Sequence, residues 1–255
     1  MIVKVLSSGS KGNSTYIESG KTKILIDAGI TYQRINAELE AIKKNVYELD
    51  AVFISHQHHD HIGGVQSLFK KIDSPIFVKK ELEKEVKKLV KDDLVNVIED
   101  GIEIGDLKIT LFNNSHDVPN SGYIVDDGKE TLVYITDTGY INRKNIDITK
   151  NKSIYLIESN HDEEMLMNGS YPYMLKQRVL SDTGHLSNKS ATSYLKKVIG
   201  PNTKYVILAH ISENNNTYEL AYNNAVEELD GIIDKEKIIV AYQNKGADII
   251  ELWLR

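Results

Sequence analysis

Apolar residues fall in short runs broken by polar turns, and two spacings alternate along the chain. Residues 1–6, 14–18, 23–27 and 51–54 read as strands, as do 107–112, 122–125, 131–135, 154–157, 205–209, 238–241 and 248–252. Between them, helical spacing predicts helices over residues 32–43, 63–71, 173–180, 188–199 and 218–229. Ser187 can cap the start of the 188–199 helix, and Gly200-Pro201 can end it. Residues 79–91 set Leu82, Val86, Leu89 and Val90 among six lysines, which predicts an amphipathic surface helix. Its lysines read as a solvated face or as a DNA-backbone contact. Strands and helices in two halves predict an α+β protein, an αβ/βα four-layer sandwich of two sheets covered by helices.

Composition narrows the setting. At 255 residues the chain can bury a large core, and its four scattered prolines, with no Ser/Gly-rich linker and no evident repeat, favour one domain over 1–255. No run reaches the roughly 18 apolar residues of a membrane span, and residues 1–6 read as a strand rather than a signal peptide. A cytoplasmic protein is expected, and the absence of cysteine fits a reducing compartment. A net charge of −6 lacks the overall basic signature of a nonspecific DNA binder.

The chemistry concentrates in Ser55-His56-Gln57-His58-His59-Asp60-His61, just after the apolar run at 51–54. Imidazoles and a carboxylate at this spacing on a loop leaving a strand suit zinc or a similar ion. Histidines on a surface loop also bind metal adventitiously or do nothing. Further donors stand at the ends of other strand-like runs: His116 in Asn114-Ser115-His116-Asp117, Asp137 in Thr136-Asp137-Thr138-Gly139, and His210 after Tyr205-Val206-Ile207-Leu208-Ala209. Singly, each is an ordinary strand-end residue. Together they form the pattern by which a sheet gathers distant donors. Without thiolates, an N/O-ligated metal is expected.

These motifs resemble the metallo-β-lactamase-fold hydrolases along nearly the whole chain, with Leu25-Ile26-Asp27-Ala28-Gly29 similar to the family's second-strand motif. Ser8-Gly9-Ser10-Lys11-Gly12-Asn13-Ser14, Glu158-Ser159-Asn160-His161-Asp162, Gly184-His185-Leu186-Ser187-Asn188 and Ala209-His210-Ile211-Ser212-Glu213-Asn214-Asn215 are similar to the YycJ/WalJ group, regarded as cytoplasmic metal-dependent 5′-to-3′ DNA exonucleases. The resemblance implies two divalent ions, zinc or manganese: one on His56, His58 and His116, the other on Asp60, His61 and His210, with Asp137 bridging. Ions about 3.5–4 Å apart share a hydroxide nucleophile and clamp a phosphodiester. Asp60 and His185 are then expected at the reacting centre, with DNA as the partner.

Other positions carry a functional and a plain reading. The helix start at His185-Leu186-Ser187-Asn188 offers an imidazole and N–H donors to a phosphate, or is a capped loop; the resemblance favours phosphate binding or leaving-group protonation by His185. Lys176 and Arg178 add phosphate contacts or solvate a helix. Glu158 orients His185 or serves a turn, and His161 lines the cleft or is structural. Asp27 hydrogen-bonds a ligand histidine or makes a turn before Gly29. His59 is expected in solvent. The interval from His116 to Asp137 is too short for the tRNA-gripping arm of tRNA-processing relatives, and that from Asp137 to His210 too short for a β-CASP cap. The alternative enzyme is a small-molecule hydrolase acting on a cyclic nucleotide, phosphonate or thioester. A non-catalytic metal scaffold is disfavoured by the complete donor set.

Overall fold

The computed structural model describes residues 1–252. Strands β1 (Ile2–Ser7), β2 (Ser14–Ser19), β3 (Thr22–Ile26), β4 (Ala51–Phe53), β5 (Ile76–Val78) and β6 (Val95–Val97) build the first sheet. Strands β7 (Gly101–Ile104), β8 (Leu107–Asn113), β9 (Ser121–Asp126), β10 (Thr131–Ile135), β11 (Ile154–Glu158), β12 (Tyr205–Ala209) and β13 (Ile238–Val240) build the second. The last strand, β14 (Ile250–Glu251), returns to the first sheet beside β1, giving the orders β14-β1-β2-β3-β4-β5-β6 and β13-β12-β11-β10-β9-β8-β7. Each half turns from antiparallel hairpins to parallel strands, β3 to β6 in one and β10 to β13 in the other.

Alternation along the strands makes the layers, because successive side chains point to opposite faces. Ile24, Ile26 and Phe53 meet Leu132, Tyr134 and Leu156 in a cluster between the sheets. Their neighbours Leu25 and Val52 face Ile35, Leu39 and Val65, and Val133, Ile135 and Tyr155 face Ala191, Tyr194 and Leu195. Strands buried on both faces read as unbroken apolar runs, and full burial of each such side chain contributes about 1.5–3 kcal/mol. The helices covering the sheets are α1 (Tyr32–Ala41), α2 (His59–Ile62), α3 (Val65–Leu68), α4 (Glu83–Lys87), α5 (Arg143–Thr149), α6 (Glu163–Asn168), α7 (Tyr173–Leu180), α8 (Asn188–Val198) and α9 (Tyr218–Glu228).

Two predicted helices are corrected. Residues 63–71 form no single helix; α2 and α3 are separate turns on either side of Gly63-Gly64. Residues 79–91 hold a 3₁₀ turn, Lys80–Leu82, and the short α4, anchored by buried Leu82 and Val86, so the lysines solvate a shorter segment than the spacing implies. Strands β5, β6 and β7 and helices α5 and α6 have no counterpart among the sequence-based elements, and the final strand is shorter than residues 248–252. Among the described residues, no helix is long and apolar enough to cross a membrane.

Candidate metal centre

Parallel strands end together, so the residues that follow them share one edge, the usual place for a ligand in such sheets. Asp27 follows β3, His56 follows β4, Asp137 follows β10, Glu158 ends β11 and His210 follows β12. Asp27, Asp137 and His210 leave their strands in the left-handed region, at φ 61°, 57° and 49°. Such conformations cost on the order of 1–3 kcal/mol each and persist where the surroundings over-determine them.

Two donor groups meet at Asp137, and a third, of Asp137, Glu158, His185 and His210, overlaps the second. Ligand-capable atoms of His56, His58, His116 and Asp137 lie within 4.8 Å of one another, and so do those of Asp60, His61, Asp137 and His210. His61 Nε2 is 3.0 Å from Asp137 Oδ2 and 3.4 Å from Asp60 Oδ2, and His210 Nε2 is 3.3 Å from Asp60 Oδ2. His116 Nε2 lies 3.2 Å from His58 Nδ1. The fully buried His56 Nε2 has no hydrogen-bond partner in the protein, a cost that a metal ion removes. The donors therefore fit divalent ions.

Electrostatics differ between the groups. Burial, then the charge of His61, push His56 well below the ordinary imidazole value, and burial lowers His116, which favours the neutral form that ligates. Burial would also lower His61 and His210, but the carboxylates of Asp27, Asp137 and Asp60 around His61, and of Asp137, Asp60 and Glu158 around His210, hold both above that value. A cation at that position competes with protons for the same carboxylates. Against its own burial, Asp137 is held well below the carboxylate range by His210, His61 and His56.

Backbone and side-chain contacts fix the donors. Asp27, fully buried, accepts from Ser55 N–H at 2.7 Å, from Ser55 Oγ at 2.8 Å and from Tyr134 Oη at 2.9 Å, and its Oδ2 lies 2.7 Å from His61 Nδ1. Asn120 Nδ2 donates to the Asp137 carbonyl at 2.7 Å. Glu158, also fully buried, takes the N–H groups of Thr138 (2.7 Å) and Leu186 (3.0 Å) on Oε1. Its Oε2 lies 3.0 Å from His185 Nδ1 and 3.2 Å from His210 Nδ1. Burial opposes charge on both partners of this pair, yet His185 is raised by Glu158 and Glu158 is lowered by His185.

A cleft of about 160 Å³ opens beside the donors, lined by Ser10, His116, Tyr171, Arg178, Thr183 and His185 among others. Arg178 reaches it and pairs with Asp117, whose Oδ1 is 3.3 Å from both His58 Nε2 and His116 Nε2. Lys176 does not line it, and its amine donates to the Met167 carbonyl at 2.6 Å.

At the start of α8, several groups of the expected phosphate cradle make contacts within the protein. Asn188 N–H donates to the His161 carbonyl at 2.9 Å, Ser190 N–H to Ser187 Oγ at 3.1 Å, and Ser187 Oγ donates to Glu163 at 2.8 Å. Ser187 and Asn188 are buried, and Asn188 Oδ1 accepts from Ser159 Oγ at 2.6 Å. His161 is buried, pushed down to about 4 by burial, and does not line the cleft; His59 is exposed. Asp117, Ser55 and Asn13 contact the donors without having been singled out individually from the sequence. Adjacency to His116 and to His56 was the available signal for the first two, and membership in the Ser8–Ser14 motif the signal for Asn13.

Residues 22–211 match the family described as the beta-lactamase superfamily domain. The exodeoxyribonuclease WalJ of Streptococcus pneumoniae is 38% identical over 234 residues, 88% of this chain and 87% of that protein. The exodeoxyribonuclease YycJ of Bacillus anthracis is 34% identical over 223 residues, 85% and 84% of the two chains. Among solved structures, the metallo-beta-lactamase fold protein YhfI from Bacillus subtilis superposes with a TM-score of 0.73 at 20% identity, covering 98% of this chain and 99% of that one, a likeness of fold. The mirrored halves, the donors at their shared edge and these relatives agree: the chain belongs to the beta-lactamase superfamily and, within it, to the WalJ/YycJ family.

Proposed function

We propose that this protein is a two-metal phosphodiesterase that shortens DNA from an end, in the 5′-to-3′ direction. The observation carrying the reading is that Asp137 belongs to both donor groups while the His185–Glu158 pair stands beside them at the cleft. His56, His58 and His116 would hold one ion, Asp60, His61 and His210 the other, and Asp137 both. Zinc and manganese suit this donor set. Such a pair supplies a nucleophile at neutral pH and neutralises charge on the phosphoryl oxygens.

The chain's own groups do the rest. With Glu158 on Nδ1, His185 keeps its other ring nitrogen for the leaving oxygen, and Glu158 stabilises the proton it hands over. Arg178 is the cleft's cation for a phosphate, held in place by Asp117. The names of the WalJ and YycJ relatives support DNA as substrate. A single-stranded DNA labelled at its 5′ end, its RNA counterpart and bis-p-nitrophenyl phosphate, each incubated with manganese or zinc, test the reading. The expected result is release of labelled mononucleotide from DNA, falling steeply with salt through loss of phosphate contacts. Hydrolysis of the small diester with intact DNA would overturn it in favour of a small-molecule hydrolase.

A further inference from the structure

We propose that Asn13 is a positioning residue for the metal position formed by Asp60, His61 and His210; this rests on the two-metal reading above. Asn13 is 2% exposed. Its Oδ1 accepts from Gly9 N–H at 2.9 Å and from Ser8 Oγ at 3.4 Å, which turns Nδ2 towards the donors. There Nδ2 is 3.0 Å from His61 Nε2 and 3.2 Å from Asp60 Oδ2, with the Gly9 carbonyl at 3.1 Å and the Asp60 carbonyl at 3.3 Å also in reach of its two protons. Asp60 Oδ2 is the same oxygen that faces the imidazoles of His61 and His210. A carboxylate oxygen has lone pairs for one ion and one hydrogen bond, so the amide can aim Asp60 with an ion in place, whereas the single lone pair of His61 Nε2 would pass from the amide to the ion.

An amide suits this corner by its chemistry. It donates without carrying charge, whereas an ammonium would repel a divalent ion and a carboxylate would add a ligand. The backbone of Asn13 brings the side chain into register, since its N–H donates to the Asp60 carbonyl at 2.7 Å and its carbonyl accepts from Gly29 N–H at 2.8 Å. The loop bends through Gly9 (φ 144°) and Gly12 (φ 151°), where a Cβ would lie 2.6 Å from Gln243 Oε1 and 2.5 Å from Ile30 Cγ2. Hydrogen-bond partners of metal-ligating groups typically contribute 10–100-fold to metal affinity.

The test is zinc titration of the chelator-stripped protein in competition with a chromogenic chelator. Wild type is expected to take two ions. Asn13→Ala is expected to weaken one of the two by 10–100-fold and leave the other unchanged. Asn13→Asp separates positioning from loop anchoring, because it keeps an oxygen for Gly9 and Ser8 while replacing the donor with a charged oxygen able to ligate; the zinc constant of that one position should shift tenfold or more, in either direction. Should Asn13→Ala fail to fold, Asn13→Asp alone decides. Two wild-type constants in the folded variants overturn the assignment. Fewer than two ions in wild type removes the two-metal reading itself, and this assignment with it.

Discussion

Glu158 joins the general-acid candidate to the metal centre within one carboxylate, because Oε2 meets both His185 and His210 while Oε1 ties down the loops that carry Asp137 and His185. Its effect on His185 has a definite sign. Burial favours the neutral ring, but the adjacent carboxylate holds the imidazole above its ordinary value, so the protonated form persists to higher pH. If that proton goes to the leaving oxygen, activity is present below the raised value and lost as pH rises through it. Glu158→Gln removes the charge and should move the alkaline limb of the kcat profile on bis-p-nitrophenyl phosphate to lower pH. Metal content is measured alongside, because His210 shares the carboxylate. An unmoved limb in a fully metallated variant excludes His185 as the titrating acid. The HxHxDH donors were legible because they are contiguous and their chemistry is local. The contacts of Asp117 with His58, of Asn13 with Asp60 and of Ser55 with Asp27 depend on residues brought together only by the fold.

At the level of elements, the metal loop is held by a backbone interlock. Ala28 N–H donates to the His61 carbonyl at 2.9 Å and Gly64 N–H to the Ala28 carbonyl at 2.8 Å, so the turn after β3 and the helical turn α2 fit against each other. Gly64 has no room for a side chain, since a Cβ would fall 1.7 Å from the Ile30 carbonyl oxygen. This explains why residues 63–71 hold only the short α3, set off from α2 by Gly63-Gly64, although their apolar spacing suits one longer helix: close approach to the β3 turn decides the path. Gly64→Ala should therefore destabilise the fold by about 1–3 kcal/mol or more through overpacking and loosen zinc held by the α2 loop. Urea unfolding and metal analysis together check this, and wild-type stability with two retained ions would remove the interlock from the argument. Strands buried on both faces were legible as apolar runs, and α7, α8 and α9 from their periodicity. The three-residue strands β5 and β6 were not, because such short segments carry too little pattern to separate from turns. Ser187 was legible as a cap, but not the internal partners of its hydroxyl and of neighbouring amides.

Across the whole molecule, the two halves were anticipated from the order of elements, whereas the way the chain closes on itself was not. β14 pairs with β1, and just before it Gln243, 1% exposed, clamps the loop that carries Asn13. Gln243 Oε1 accepts from Lys11 N–H at 2.8 Å, while Nε2 donates to Ser7 Oγ at 2.9 Å and to the Gly12 carbonyl at 3.0 Å. Its own carbonyl accepts from Ser7 Oγ at 2.8 Å and from the Arg34 guanidinium. None of these contacts reaches a metal donor directly. Gln243→Ala removes the acceptor of the Lys11 N–H and one of two donors to the Gly12 carbonyl, which keeps Ser7 Oγ at 2.7 Å, at a cost of about 0.5–1.5 kcal/mol for each hydrogen bond lost, and frees the loop that aims Asn13. If docking of this late segment fixes the loop, the variant should lose zinc affinity at one position, the one that weakens in Asn13→Ala, and keep the other. The double variant with Asn13→Ala should then lose little more zinc affinity than Asn13→Ala alone, because both changes act through one side chain. Additive losses would mean that Gln243 supports the centre by another route, and a Gln243→Ala protein with wild-type zinc constants would confine its role to holding the chain ends together.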